Sequence, residues 1–134
     1  MYRITLTDNQ LSLLEKAVES YFRVRMGQHF DLADDVAFNG YDLKTQSDTS
    51  EFDKRIRRRN DAQDAYDTAH RIARPQNPVK TEDMRNAIDI WHVIRHQRWL
   101  DNPDVDHNSH WHTASDEPSK CGTEPLCKVE RIEE

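Results

Sequence analysis

Tyr2-Arg3-Ile4-Thr5-Leu6 alternates apolar and polar side chains, and its aromatic and β-branched members suit a pleated surface buried on one side. Read as a strand, this stretch takes the chain out of the all-helical class. A single strand needs a partner, because isolated ribbons are marginal in water. The only other strand-like pieces lie at the far end, around Trp111 and from Leu126 to Ile132. The expectation is therefore an α+β fold: three main helices packed with a small antiparallel sheet formed by the N-terminal strand and short C-terminal strands.

The helices follow outward from that strand. Thr7 offers a capping hydroxyl and Gln10 stands three residues on as its reciprocal partner, so a helix is expected over 8–26. Leu11, Leu14, Val18, Tyr21 and Phe22 form its apolar stripe, and Gly27 can end it in the left-handed conformation. A short helix from Phe30 to Phe38 stops at Asn39-Gly40, and 41–50 reads as a polar loop. Thr49 or Ser50 caps the next helix, whose thin stripe is Phe52, Ile56, Tyr66, Ala69 and Ile72, and Pro75 and Pro78 forbid its continuation. The last helix is capped by Thr81, carries Glu82 and Asp83 in its first turn and ends before Pro103, with Met84, Ile88, Trp91, Ile94 or Arg95, and Trp99 repeating at helical spacing.

A chain of 134 residues fits one domain, 1–134, with 102–134 as an acidic, loop-rich C-terminal part. Hydrophobic residues are 35% of the total against 33% charged, so the core is lean and a second copy is expected to cover some helix faces. Residues 101–134 hold nine acids and three bases and so account for the whole net charge of −6. The body is neutral, which argues against long nucleic acid as a partner, since duplex binding through phosphates normally needs a basic surplus. No apolar run approaches the roughly 20 residues that cross a bilayer, and no cationic start leads into an apolar stretch, so neither a membrane span nor a leader is expected. Cys121 and Cys127 are then expected as reduced thiols in a cytoplasmic protein.

The last helix carries the most suggestive chemistry. Arg85, His92, Arg95, His96 and Arg98 lie along it beside Trp91 and Trp99. Guanidinium forks suit phosphates and flat aromatic faces suit bases, so a nucleotide pocket is one reading and a tryptophan-bearing core stripe the other. His92 and His96 have a metal-compatible i, i+4 spacing but an arginine between them, and no third ligand at a recognised spacing, so no metal is expected. Arg55, Arg57, Arg58 and Arg59 form a basic cluster interleaved with Asp53, Asp61, Asp64 and Asp67, which reads as a solvated face or as an anion site. With three glycines in all there is no Gly-rich phosphate loop, nor any nucleophile elbow, and no catalysis is expected.

Three segments together resemble a known family. The helix ending Tyr21-Phe22-Arg23-Val24-Arg25-Met26-Gly27-Gln28, the helix Met84-Arg85-Asn86-Ala87-Ile88-Asp89-Ile90-Trp91-His92-Val93-Ile94-Arg95-His96, and Trp111-His112 followed by Glu124-Pro125-Leu126 look like small bacteriophage proteins. The family they resemble is the first type of Thoeris anti-defence sponge, which sequesters the cyclic ADP-ribose isomers made by TIR-domain enzymes. The resemblance implies a non-catalytic α+β homo-oligomer, free of cofactors, with recessed pockets near a protomer interface, acting in the cytoplasm of an infected bacterial cell. It implies that Arg85 and Arg95 meet the diphosphate of a small cyclic nucleotide. Trp99 or Trp111 would offer a stacking face, and Gln28, Asn86 or His92 would read ribose or base edges. Some members hold cyclic oligonucleotides at a separate site, for which Arg55, Arg58 and Arg59 are the candidates here. The competing expectation is a protein-interaction module that engages a host factor through its acidic tail or an exposed helix.

Overall fold

The computed structural model describes residues 2–42, 49–73, 81–108 and 113–132. They form four helices, α1 (Asp8–Arg25), α2 (Phe30–Ala37), α3 (Thr49–Ala73) and α4 (Glu82–Asp101), and no strand occurs among the described residues. The chain folds as two compact units, residues 1–22 with 80–134, and residues 23–79. Among the described residues no helix is long and apolar enough to cross a membrane.

In the first unit α1 opens with the expected capping box: the Thr7 N–H donates to Gln10 Oε1 at 2.9 Å and the Gln10 N–H to Thr7 Oγ1 at 3.3 Å. Thr81 caps α4 in the same manner, its Oγ1 accepting the Met84 N–H at 3.4 Å. Phe22, Met84, Ala87 and Ile94 are the buried apolar side chains of this unit among the described residues. Phe22 meets Trp91 edge-on at 5.4 Å, and Arg98 pairs with Glu15 across the two helices. After α4 the described chain is irregular, and 121–124 lies along one face of that helix through backbone hydrogen bonds described below.

The α+β expectation is therefore corrected to an all-helical fold in the described residues. The N-terminal segment keeps its alternation but has no ladder: Tyr2 is 98% and Ile4 74% exposed. The C-terminal segment cannot supply one, because Leu126, Cys127, Val129 and Ile132 do not alternate and Pro125 lacks a donor. An ion pair, Arg131 to Asp8 at 4.0 Å, ties it to α1 in place of backbone pairing. The strand expected around Trp111 lies outside the described residues.

The second unit begins at the end of α1. The Gly27 N–H donates to the Val24 carbonyl at 3.1 Å and the Gln28 N–H to the Arg23 carbonyl at 2.8 Å, with Gly27 at φ +78°. This double closure leaves the helix carbonyls satisfied and needs a left-handed residue, which Gly27 supplies. α2 packs on α3 through Ala33 and Ala37, and Phe38, Tyr41 and Phe52 make ring contacts beside them. His29, buried at the start of α2, shares a hydrogen bond of 2.7 Å with Asp67 of α3. α3 has 25 residues and none is buried. The expected stripe holds for half-buried Phe52, Ile56 and Tyr66 but fails at its end, where Ala69 is exposed and Ile72 is 81% exposed.

Candidate functional site

At about 100° per residue, His92, Arg95 and Trp99 fall within roughly 60° of one another on α4, and Arg85 sits at the edge of the same strip two turns earlier. The three are half-buried and Arg85 is exposed. The strip is bounded on one side by Phe22 of α1, through Trp91, and on the other by the C-terminal segment. Arg95 stacks its guanidinium 4.8 Å from the centre of the Trp91 ring. Among the described residues no carboxylate pairs with Arg85 or Arg95.

Burial holds the His92 imidazole below its ordinary value; the Arg95 charge acts in the same direction and the Asp89 charge opposes both. His92 is thus neutral at pH 7, able to donate from one ring nitrogen and accept at the other. Trp99 is enclosed by two histidines, stacked on His96 at 5.9 Å and edge-on to His107 at 4.8 Å. His107 also bonds the Trp99 carbonyl at 2.9 Å, and His96 the Ala114 carbonyl at 2.8 Å. The His96 ring takes part of the stacking surface of Trp99. The bond to Ala114 commits one nitrogen of His96, and no group of three or more histidine, cysteine or acidic residues able to hold a metal occurs among the described residues.

The rest of α4 is occupied by the chain itself. Asp89 is 3% exposed and accepts the backbone N–H groups of Cys121 at 2.9 Å and Gly122 at 2.8 Å. Burial raises its pKa; hydrogen bonds from the Cys121 thiol and from these two N–H groups, with the charge of His92, outweigh that and hold the carboxyl below its ordinary value. Asn86 Oδ1 accepts from the Glu124 N–H at 3.3 Å, and Glu82 accepts from the Thr123 N–H. A hydrogen bond from the Thr123 side chain, and after it this backbone bond, lower the Glu82 pKa against a smaller opposing effect of desolvation. The Cys121 thiol lies 3.4 Å from the Arg85 carbonyl. Glu82, Asn86 and Asp89, at i, i+4 and i+7, thus serve as a rail of acceptors for four consecutive N–H groups. Cys121 and Cys127 are free thiols, and desolvation pushes Cys127 up, away from thiolate reactivity.

The other expected residues separate from this strip. Gln28 belongs to the second unit and accepts from Arg23 Nη1 at 2.8 Å, and Trp111 lies outside the described residues. Of the proposed second anion site, Arg55 donates to the carbonyls of Ala37 at 2.9 Å and Asn39 at 3.2 Å, pairs with Glu51 and covers the Tyr41 ring. Arg59 pairs with Asp34 at 3.6 Å and covers the Phe30 ring, while Arg58 is exposed. Two of the three arginines therefore hold α2 in place.

Asp89 and His29 were not singled out from the sequence. An acid inside the short apolar run Ala87 to Trp91, between Ile88 and Ile90, is the signal for the first. His29 carries no local signal.

No family model matches the chain, and no curated protein or solved structure matches it either.

Proposed function

We propose that the chain is a non-catalytic binding protein of the phage anti-defence kind that its sequence resembles, holding a cyclic ADP-ribose-type nucleotide on the Arg85 to Trp99 strip of α4 in the cytoplasm of the infected cell. The observation that carries this reading is Arg95, a half-buried cation seated on the Trp91 ring beside neutral His92 and without a described carboxylate. A cation already oriented and partly desolvated binds an anion with little ordering cost, and a sequestering protein depends on slow release. Within this reading Arg85 and Arg95 take the diphosphate, His92 takes a ribose or base edge, and a base reaches Trp99 by displacing His96. The homo-oligomer belongs to the same proposal. Arg55 and Arg59 are engaged in holding α2, so α3 adds no second nucleotide site to it.

The test is calorimetric titration with the cyclic ADP-ribose isomers, followed by heat release and chromatography of the bound material. Tight binding, intact ligand recovered, and loss of binding in Arg95→Ala with unchanged helical circular dichroism are the expected results. Absence of heat with every isomer overturns the reading, and recovery of a cleaved product replaces the binder with an enzyme.

A second reading, engagement of a host protein, is favoured by α3, whose outer face presents exposed Lys54, Arg57 and Arg58. Loss of a captured host protein on changing these three to Glu, with ligand binding absent throughout, would support it.

A further inference from the structure

The segment Tyr2 to Leu6 is the least used part of the first unit. Among the described residues none of its backbone N–H or carbonyl groups is hydrogen bonded, and Tyr2, Ile4 and Leu6 are 98%, 74% and 38% exposed. Its alternation is nevertheless that of a strand with one apolar face. We propose that residues 2–6 pair with the same residues of a second copy, as an antiparallel ribbon with its two-fold axis at Ile4.

Self-complementarity selects the second copy as partner. With the axis at Ile4, Tyr2 stands opposite the Leu6 position of the other copy, Ile4 opposite Ile4, and Arg3 opposite Thr5. The apolar residues then form one continuous row on one face, and the only charge in the segment never meets its own image. A shift by one residue would put Arg3 against Ile4 and break the row, and a shift by two sets Arg3 against its own image in one direction and runs Tyr2 past the segment onto Asp8 of α1 in the other, so the register is defined. The chain's own C-terminal segment offers no such match, since its apolar residues do not alternate.

A two-stranded ribbon needs a further apolar surface to be stable. α1 supplies one two residues after the segment ends: Leu13 is 68% and Leu14 39% exposed, on the helix that Leu6 leads into. The row of Tyr2, Ile4 and Leu6 from both copies covers these leucines. The pairing gives the homo-oligomer of the proposed function a definite surface and rests on that expectation; the ligand does not enter into it.

Sedimentation equilibrium on the whole chain at micromolar concentration tests it. The wild type is expected at twice 15.9 kDa and Ile4→Glu, which sets two carboxylates face to face at the axis, at 15.9 kDa with unchanged helical circular dichroism. In a Cys121→Ser, Cys127→Ser background, Ile4→Cys is expected to form a self-disulfide on mild oxidation and Thr5→Cys, whose opposite is Arg3, is not. A monomeric wild type, a dimer that survives Ile4→Glu, or equal cross-linking at both positions overturns the proposal. Ligand titration of Ile4→Glu in parallel separates the two readings, since dimer loss leaves a monomer whose α4 strip is intact.

Discussion

Asp89, in the third turn of α4, holds Gly122 by accepting its backbone N–H at 2.8 Å, and the adjacent Cys121 N–H occupies the other carboxylate oxygen. One buried charge thereby fixes the C-terminal segment on the helix that carries the candidate site.

Replacing Asp89 with Asn removes one acceptor and the charge, and is expected to cost about 3 kcal/mol, since buried N–H groups lose a charged partner. The folded carboxyl titrates below its ordinary value, so this contribution is complete above about pH 4 and is lost as the pH falls from there through the folded value. Urea unfolding of both proteins between about pH 7 and about pH 3 should show a gap that is constant down to about pH 4 and narrows below it. A gap of constant size would show that the carboxylate charge contributes nothing.

Gly122 is packed too closely to accept a side chain. A Cβ there would lie 2.1 Å from Asn86 Oδ1 and 3.0 Å from the Asn86 backbone nitrogen. Gly122→Ala should cost about 2 kcal/mol in urea melts, by overpacking. In an Asn86→Ala background the cost should shrink without vanishing, because the backbone contact remains; additive effects would contradict the close approach.

Gly27 combines backbone and steric constraints. Its φ is +78° and an added Cβ would lie 2.9 Å from His70 Nε2. Gly27→Ala is expected to cost about 1–3 kcal/mol, and His70→Ala should relieve only the steric part, leaving the roughly 1 kcal/mol of the left-handed backbone. Thermal melts of the four members of this cycle check it.

The arginines of α3 should differ sharply. Arg55→Lys loses the guanidinium that reaches two carbonyls through Nη1 and Glu51 through Nε at once, and should cost about 1–2 kcal/mol, whereas Arg58→Ala should stay within about 0.5 kcal/mol of wild type. Equal effects in urea melts would mean that the two side chains do not divide between packing and solvent.

What could be read from the sequence was local. The Thr7–Gln10 box, the Gly27 ending and the Thr81 cap involve partners a few residues apart, and all three formed as expected. The sheet does not form because alternation in 2–6 reports only the capacity to pair; the partner depends on residues more than a hundred positions away, where 121–124 bonds α4 side chains and 126–132 does not alternate. His92, Arg95 and Trp99 share a face because helical periodicity alone dictates it, but the withdrawal of Asn86 into the clamp required knowing where 121–124 lies. Arg55 and Arg58 look alike in the sequence and part company only once α2 takes its place beside α3.

The clamp also has a consequence in time. During synthesis Asp89 leaves the ribosome well before its partners, which follow 32 and 33 residues later. At about 5–20 residues per second that is a delay of roughly 2–7 s, long against helix formation. The second unit, continuous from 23 to 79, has all of its residues by then. The first unit, built from both ends of the chain, must wait, so the nascent protein passes through a stage in which α4 displays an uncompensated carboxylate and the strip above it has no border.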